Sequence, residues 1–205
     1  MQYNVYNKMS LSERKLKERK LRQELILKGA LEVFKSKGIE GSTMDEIALE
    51  SGFGKATLYY YFKSKEDVFS AILTNGWENL WKDLEPIISQ DNKSPRDTFI
   101  QILLSISDNV RSRPGLYEFL FNVPKKINFD SQDWRSYQER IYSIISTLIE
   151  EGIKIGEFPQ SKPEVLFKAL GGLFMGLVLM GKDKPVSKKD IENLLNDLIP
   201  NNSNE

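Results

Sequence analysis

The two residue types with the widest chemical range are missing: the 205-residue chain has no cysteine and no histidine. Without cysteine there is no disulfide, no thiolate zinc site and no thiol nucleophile. Without histidine the usual general base and the commonest metal ligand are gone as well. Carboxylate and lysine chemistry remain, but no nucleophile–base constellation stands out, and no enzyme activity, metal or cofactor is expected. Long apolar runs are scarce too. The most apolar segment, Ala169–Gly181 (ALGGLFMGLVLMG), has 13 residues without a charge. That is short for a bilayer span and better read as a buried core helix, so no membrane partner is expected. Met1–Lys20 has no apolar run of the secretory kind. A cysteine-free chain suits a reducing cytosol, and a cytoplasmic location is expected.

Net charge is absent only on average. Lys and Arg total 29 and Asp and Glu total 29, yet residues 1–65 hold 13 basic against 8 acidic side chains, and residues 66–205 hold 16 against 21. A local basic footprint matters for phosphate binding even in a neutral protein. A solvated charged helix would explain the run KLKERKLR alone. It would not explain why the basic third also contains the stretch TMDEIALESGFGKATLYYYFKSK, Thr43–Lys65.

That stretch reads as two short helices around a tight turn. Thr43 is a good N-cap, and Glu46 stands three residues on, the spacing of a capping box. Ile47 and Ala48 supply an apolar side. Gly52 stops the first helix, where a left-handed residue is cheap only for glycine. The chain restarts near Lys55, and Leu58 and Phe62, four apart, give the second helix a buried side. Two helices joined by a three- or four-residue turn containing Gly form a helix-turn-helix, whose second helix enters the DNA major groove. The string Gly52-Phe53-Gly54-Lys55 is no phosphate loop. That motif needs Gly at 49 and Ser or Thr at 56, where Leu49 and Ala56 stand.

Periodicity elsewhere predicts helices over 12–37, 65–85, 95–111, 116–122, 132–151, 163–181 and 187–198. The first should bury Leu21, Leu25, Ala30, Val33 and Phe34. Ser64 should cap the helix from Lys65, and Pro86 should lie near its end. Pro95 suits a first turn. No strand-length alternation and no internal repeat occur, so the fold class is all-α. The expected organisation is a polar tail over 1–11, a helix-turn-helix domain over 12–66, a larger helical domain over 67–200 and a tail over 201–205.

The first 70 residues resemble the DNA-binding domain of TetR/AcrR-family transcriptional regulators. The resemblance rests on Ile26, Ala30, Phe34, Gly38, Thr43, Ile47 with Ala48, Gly52, the run Leu58 to Phe62, Lys63, Lys65 and Val68 with Phe69. Gly54 departs from it, standing where a Ser or Thr cap is frequent, and Tyr61 replaces a frequent His. The resemblance implies a homodimer with three N-terminal helices, and the start of a fourth, as the reading head. The remaining helices would bind a small molecule and dimerise through the last two. It also implies that the protein is a repressor released from DNA by its effector.

Site residues follow. Lys55 and Thr57 open the second helix of the motif, where side chains reach base edges. Tyr60 suits an apolar base or sugar contact. Tyr61, Lys63, Lys65 and Thr43 suit phosphates. Tyr59 either joins them or packs inward, since three consecutive tyrosines cannot share one buried face. The rings and aliphatic chains of Trp77, Trp81, Phe99, Leu103, Phe119, Phe121, Trp134, Tyr137, Ile141 and Phe174 would wall an effector cavity for a largely hydrophobic ligand, or form plain core. Gly172 and Gly176 with Leu177, Ile191, Leu194, Leu195 and Leu198 are the expected dimer interface. The glycines lower helix propensity, which the close approach of another helix would offset; alternatively they leave room for the effector. Rival readings are a helical enzyme or lipid carrier and a non-switching architectural DNA-binding protein.

Overall fold

The computed structural model describes residues 10–90, 93–123, 133–179 and 186–199. Nearly all of the expected N-terminal tail, the 201–205 tail, Gly181, Gln132 and most of the 123–131 loop lie outside them. Among the described residues every regular element is helical: α1 Leu11–Lys37, α2 Met44–Ser51, α3 Lys55–Tyr61, α4 Lys65–Ile88, α5 Pro95–Ser112, α6 Leu116–Phe121, α7 Asp133–Lys154, α8 Pro163–Leu179 and α9 Lys188–Leu198. The all-α expectation holds.

Short polar side chains start most of these helices. Ser10 with Glu13 and Thr43 with Glu46 close reciprocal capping boxes on α1 and α2. Each satisfies two backbone donors that a helix start leaves free. Ser64 Oγ accepts from the Asp67 amide at 3.1 Å. Ser94, ahead of Pro95 in the first turn of α5, and Ser187, ahead of α9, act likewise.

The chain divides into two compact units between Ile72 and Leu73. The expected boundary lay at residue 66, and packing explains the shift. Val68, Phe69 and Ile72 are buried, and the Phe69 ring meets Phe34 edge-on at 5.6 Å between centroids. The start of α4 therefore belongs to the first core.

In that first unit α1 and α2 approach closely at Gly29, where a Cβ would lie 2.7 Å from the Ser51 backbone. The expected buried face of α1 needs correction. Burial begins at Ile26 and runs through Leu27, Ala30, Leu31, Val33 and Phe34. Leu21 and Leu25 are 55% and 45% exposed. The helix outruns the body it packs on, so apolar period alone overstates its buried length. Helix α4 passes the expected stop at Glu85 and ends at Ile88, with Pro86 inside its last turn. The proline lacks the N–H that would bond the Lys82 carbonyl, so one ladder bond is lost in that turn, and the Gln90 side chain donates to the Pro86 carbonyl at 3.1 Å.

The second unit is built on Trp77, Leu80, Leu84, Phe99, Ile102, Tyr117, Leu120 and Ile149, all fully or almost fully buried. Gly76 admits Leu120, whose methyl would lie 2.6 Å from an added Cβ. Two polar devices tie its helices. The buried Arg96 side chain donates to the Ile199 carbonyl and, at 2.8 Å, to Asn196 Oδ1, while pairing with Asp97 at 2.9 Å. This joins the start of α5 to the end of α9. Tyr117 donates to Asn109 Oδ1 at 2.9 Å and accepts from Arg113 at 3.0 Å. Burial pushes the Tyr117 phenol above its usual range, so it stays protonated and keeps that donor role.

Candidate nucleic-acid interface

The helix-turn-helix is built as its spacing predicts. Thr43 Oγ1 accepts from the Glu46 amide at 3.3 Å, and Glu46 Oε2 accepts from the Thr43 amide at 2.9 Å. Lys37 pairs with the other Glu46 oxygen. The Lys37 ammonium, followed by Thr43, holds the Glu46 carboxyl below the usual carboxylate range. Gly52 closes α2 in the left-handed region at φ 73°. Gly54 caps α3 without a side-chain bond, the weak start its lack of a hydroxyl predicts.

Leu58 and Phe62 anchor α3, at 0% and 5% exposure. That anchoring turns the rest of the helix outward. Lys55, Tyr59 and Tyr60 are exposed, and Thr57 and Tyr61 are half-buried. Tyr59 is 52% exposed, which settles its orientation: it does not pack inward. The Tyr60 and Tyr61 rings meet edge-on at 5.2 Å.

The polar tips are less free than residue type alone suggests. Lys55 Nζ lies 2.5 Å from Asp45 Oδ2 on α2, so the cation at the head of α3 is held over the motif. Lys65 Nζ donates to the carbonyls of Glu40 and Ser42 at 3.2 and 3.1 Å. Lys65 thus tethers the α1–α2 connector, and phosphate would have only its remaining N–H. Lys63 is exposed, and its amide donates to Asp67 at 3.1 Å. Sequence reasoning passed over Asp45, the partner of Lys55, and Arg19, whose guanidinium stands 5.8 Å from the Tyr60 ring centroid. Neither has a local signal, since both partners are distant in the chain. An open cleft of about 360 Å³ between α1 and α2 is lined by Glu32, Glu46, Glu50, Lys37 and Leu49 among others. Its acidic balance is wrong for phosphate.

Residues 26–72 match the family model described as bacterial regulatory proteins, tetR family. An HTH-type transcriptional regulator of Bacillus subtilis, YfiR, is 30% identical over 151 residues, covering 69% of this chain and 70% of that protein. The chain belongs to the TetR family of bacterial regulatory proteins. The negative transcriptional regulator of the biofilm operon icaADBC in Staphylococcus epidermidis, IcaR, is 29% identical over 99 residues, 48% of this chain and 43% of its own. The solved structure of AibR in complex with isovaleryl coenzyme A and operator DNA shares the fold, with a TM-score of 0.75 over 88% of this chain and 99% of that one at 18% identity. The protein is therefore a DNA-binding transcriptional regulator rather than an enzyme, which ends the enzyme reading. None of its described helices is long and apolar enough to cross a membrane.

The remaining residues singled out in the sequence lie in the rest of this TetR-family chain. Trp77 is fully buried, with Phe121 at 5.5 Å and Tyr142 at 6.1 Å, both edge-on, and Tyr142 in turn meets Phe167 at 6.0 Å. Phe119, Phe121 and Tyr137 are half-buried. Trp81 lies under the Arg140 guanidinium at 3.8 Å, and Trp134 near that of Arg135 at 5.1 Å. Phe99 packs on Phe158 at 5.4 Å, and Leu103, Ile141 and Phe174 are buried. Trp77 Nε1 and Ser107 Oγ are buried with no hydrogen-bond partner among the described residues.

The expected dimer residues divide into two groups. Ile191 and Leu195 are 0% exposed within the protomer, so they are core and not interface. Leu194 and Leu198 share their helical stripe, but Leu194 is only half-buried and Leu198 is 43% exposed. On α8 only Leu170 and Phe174 are buried. Gly172 and Leu173 are exposed, Gly176 and Leu177 half-buried, and a Cβ at Gly171, Gly172 or Gly176 would meet nothing within 4 Å among the described residues.

Proposed function

We propose that the protein is a homodimeric repressor that leaves a near-palindromic operator when a small effector binds its second unit. One observation carries the reading: Leu58 and Phe62 bury one side of α3 and turn Lys55, Tyr59 and Tyr60 outward. Lysine donates to guanine O6 and N7, and Thr57 suits a hydrogen bond or a thymine methyl. Tyr60 reaches base or sugar, while Tyr61, Lys63, Thr43 and the remaining N–H of Lys65 take phosphates. Such a regulator works in the cytoplasm, on the chromosome.

Dimerisation is supported by α8. Val165 and Leu173 are exposed on it beside the bare Gly172, and Leu198 of α9 is a further exposed apolar side chain. In a two-fold dimer the two α3 helices read half-sites about one turn, ~34–36 Å, apart or at a related spacing. The aromatic cluster around Trp77 supports a largely hydrophobic effector. The unpartnered Trp77 N–H adds one requirement, since a buried donor left unmade costs about 1–3 kcal/mol: the effector carries an acceptor atom. Helix α4 has residues in both units, and the effector acts through it by binding the two forms with different affinity.

The deciding experiment selects the purified protein against a random duplex pool at physiological salt. A palindromic motif supports the whole reading. A single half-site motif removes the dimer, and retention of no motif removes operator recognition. Thermal-shift screening then tests the effector: a ligand set confined to metal chelates or fully polar compounds would overturn the hydrophobic cavity.

A further inference from the structure

Helix α1 is two helices in character. From Ile26 onward its inner side is apolar core, whereas no residue of Leu11–Leu25 is buried. The period of 3.6 residues places Lys15, Arg19 and Arg22 on the side of Ile26, at spacings of four, three and four. The stripe that is core in the second half is therefore basic and solvent-facing in the first. Its position is fixed by a contact, because the Arg19 guanidinium stands 5.8 Å from the centroid of Tyr60 on α3. Tyr60 is 70% exposed. The basic stripe thus adjoins the outward surface of the reading helix. Arg22 is held by Glu18 at 2.6 Å, which leaves Lys15 and Arg19 as the main cations. The exposed Leu16, Leu21 and Leu25 fall off the stripe.

We infer that the first half of α1 is a second DNA-binding element, in which Lys15 and Arg19 hold the phosphodiester backbone beside the groove that α3 enters. The inference rests on α3 being the reading helix. The chemistry suits the task. A guanidinium stacks on a ring through its flat face and still donates from its edge, so Arg19 stays against Tyr60 while binding phosphate. The contacts would add affinity and fix the orientation of the head, without selecting sequence.

The test compares two full-length double variants of equal charge, Lys15→Gln with Arg19→Gln and Lys17→Gln with Lys20→Gln. The second pair lies off the stripe. Duplex binding is measured by fluorescence anisotropy between 50 and 200 mM salt, on the selected operator and on an unrelated duplex. The stripe variant is expected to lower the slope of log K against log salt by about 2 relative to the wild type, at roughly 0.9 per phosphate contact. The control should lower it by well under half as much, and both should retain the wild-type motif. Equal slopes in the two variants would overturn the inference and leave the reading helix untouched. A changed motif in the stripe variant would overturn it too, by showing that Arg19 acts through Tyr60 on base reading. A wild-type chain that binds neither duplex would remove this inference and the DNA reading together.

Discussion

Gly29 and Gly172 are both helical glycines, and they answer to different neighbours. A Cβ on Gly29 would lie 2.7 Å from the backbone N and Cα of Ser51, whereas one on Gly172 would meet nothing within 4 Å among the described residues. Each lowers helix propensity by roughly 1 kcal/mol relative to alanine. In the reading head that cost is offset inside the protomer, because bare glycine lets α1 and α2 touch. In α8 nothing among the described residues offsets it, and the same is true of Gly171 and Gly176. A glycine whose missing side chain is filled by a neighbour explains a fold. One whose missing side chain faces open space asks for a partner.

The largest expected effect probes how the second unit closes. Its last helix is held by one buried cation, Arg96, bonded to Ile199 and Asn196. Arg96→Leu leaves those acceptors unpaired, and a loss of about 2–3 kcal/mol is expected in chemical denaturation. Hydrogen exchange should show α9 opening first. A change under about 0.5 kcal/mol would mean that the apolar packing of Ile191 and Leu195, with the Lys188–Asp108 pair, holds the helix without it. The head closes instead by backbone approach. Gly29→Ala should destabilise it by about 1–3 kcal/mol, because the new methyl would meet the Ser51 main chain, which has nowhere to go. Operator binding should fall with it. Unchanged melting would show that α1 slides freely over α2.

The α8 glycines should behave in the opposite sense. Gly172→Ala is expected to leave the isolated protomer as stable or up to about 1 kcal/mol more so. If the dimer forms across this face, sedimentation equilibrium should show it weakened by about tenfold, or ~1.4 kcal/mol. A dimer of wild-type strength would move the interface off Gly172 and would leave this glycine without a physical account.

The same contrast explains what was legible in the sequence. Head features depend on neighbours close in the chain: Thr43 caps Glu46 three residues on, Gly52 ends α2, and Leu58 with Phe62 sets the inner side of α3. Short-range rules read these directly. The misses depend on distant neighbours. Leu21 and Leu25 continue the apolar period of α1, yet nothing packs against that part of the helix. Ile191 and Leu195 look like interface leucine-type residues until α5 is seen to cover them. Lys65 reads as a phosphate ligand, but its ammonium is bound by carbonyls more than twenty positions earlier. In the second unit, periodicity separates buried from exposed but cannot separate core from cavity. Phe99 against Phe158 and Trp77 with an unpartnered N–H look alike as letters.

The smallest effect tests whether the head's local rules carry energy at all. Glu46 accepts from Lys37 and from Thr43, and these hold its carboxyl below its ordinary value of 4.5. A group whose folded pKa is depressed adds stability that is complete above the unfolded pKa and is lost as pH falls through the folded one. The contribution of Glu46 should therefore be full above about pH 4.5 and fade below it, as its own lowered pKa is crossed. Glu46→Gln keeps the length and an acceptor at the third helical position, which a capping box tolerates, but removes the charge that pairs with Lys37. Melting temperatures of the two proteins should differ slightly, with the wild type higher, from neutral pH down to about 4.5, and converge as the medium becomes more acid. The Glu46–Lys37 pair is open to solvent, with side chains 34% and 50% exposed, so salt should shrink the gap at every pH. A gap that persisted unchanged to pH 3, or that ignored salt, would assign the difference to packing of the side chain and not to its charge.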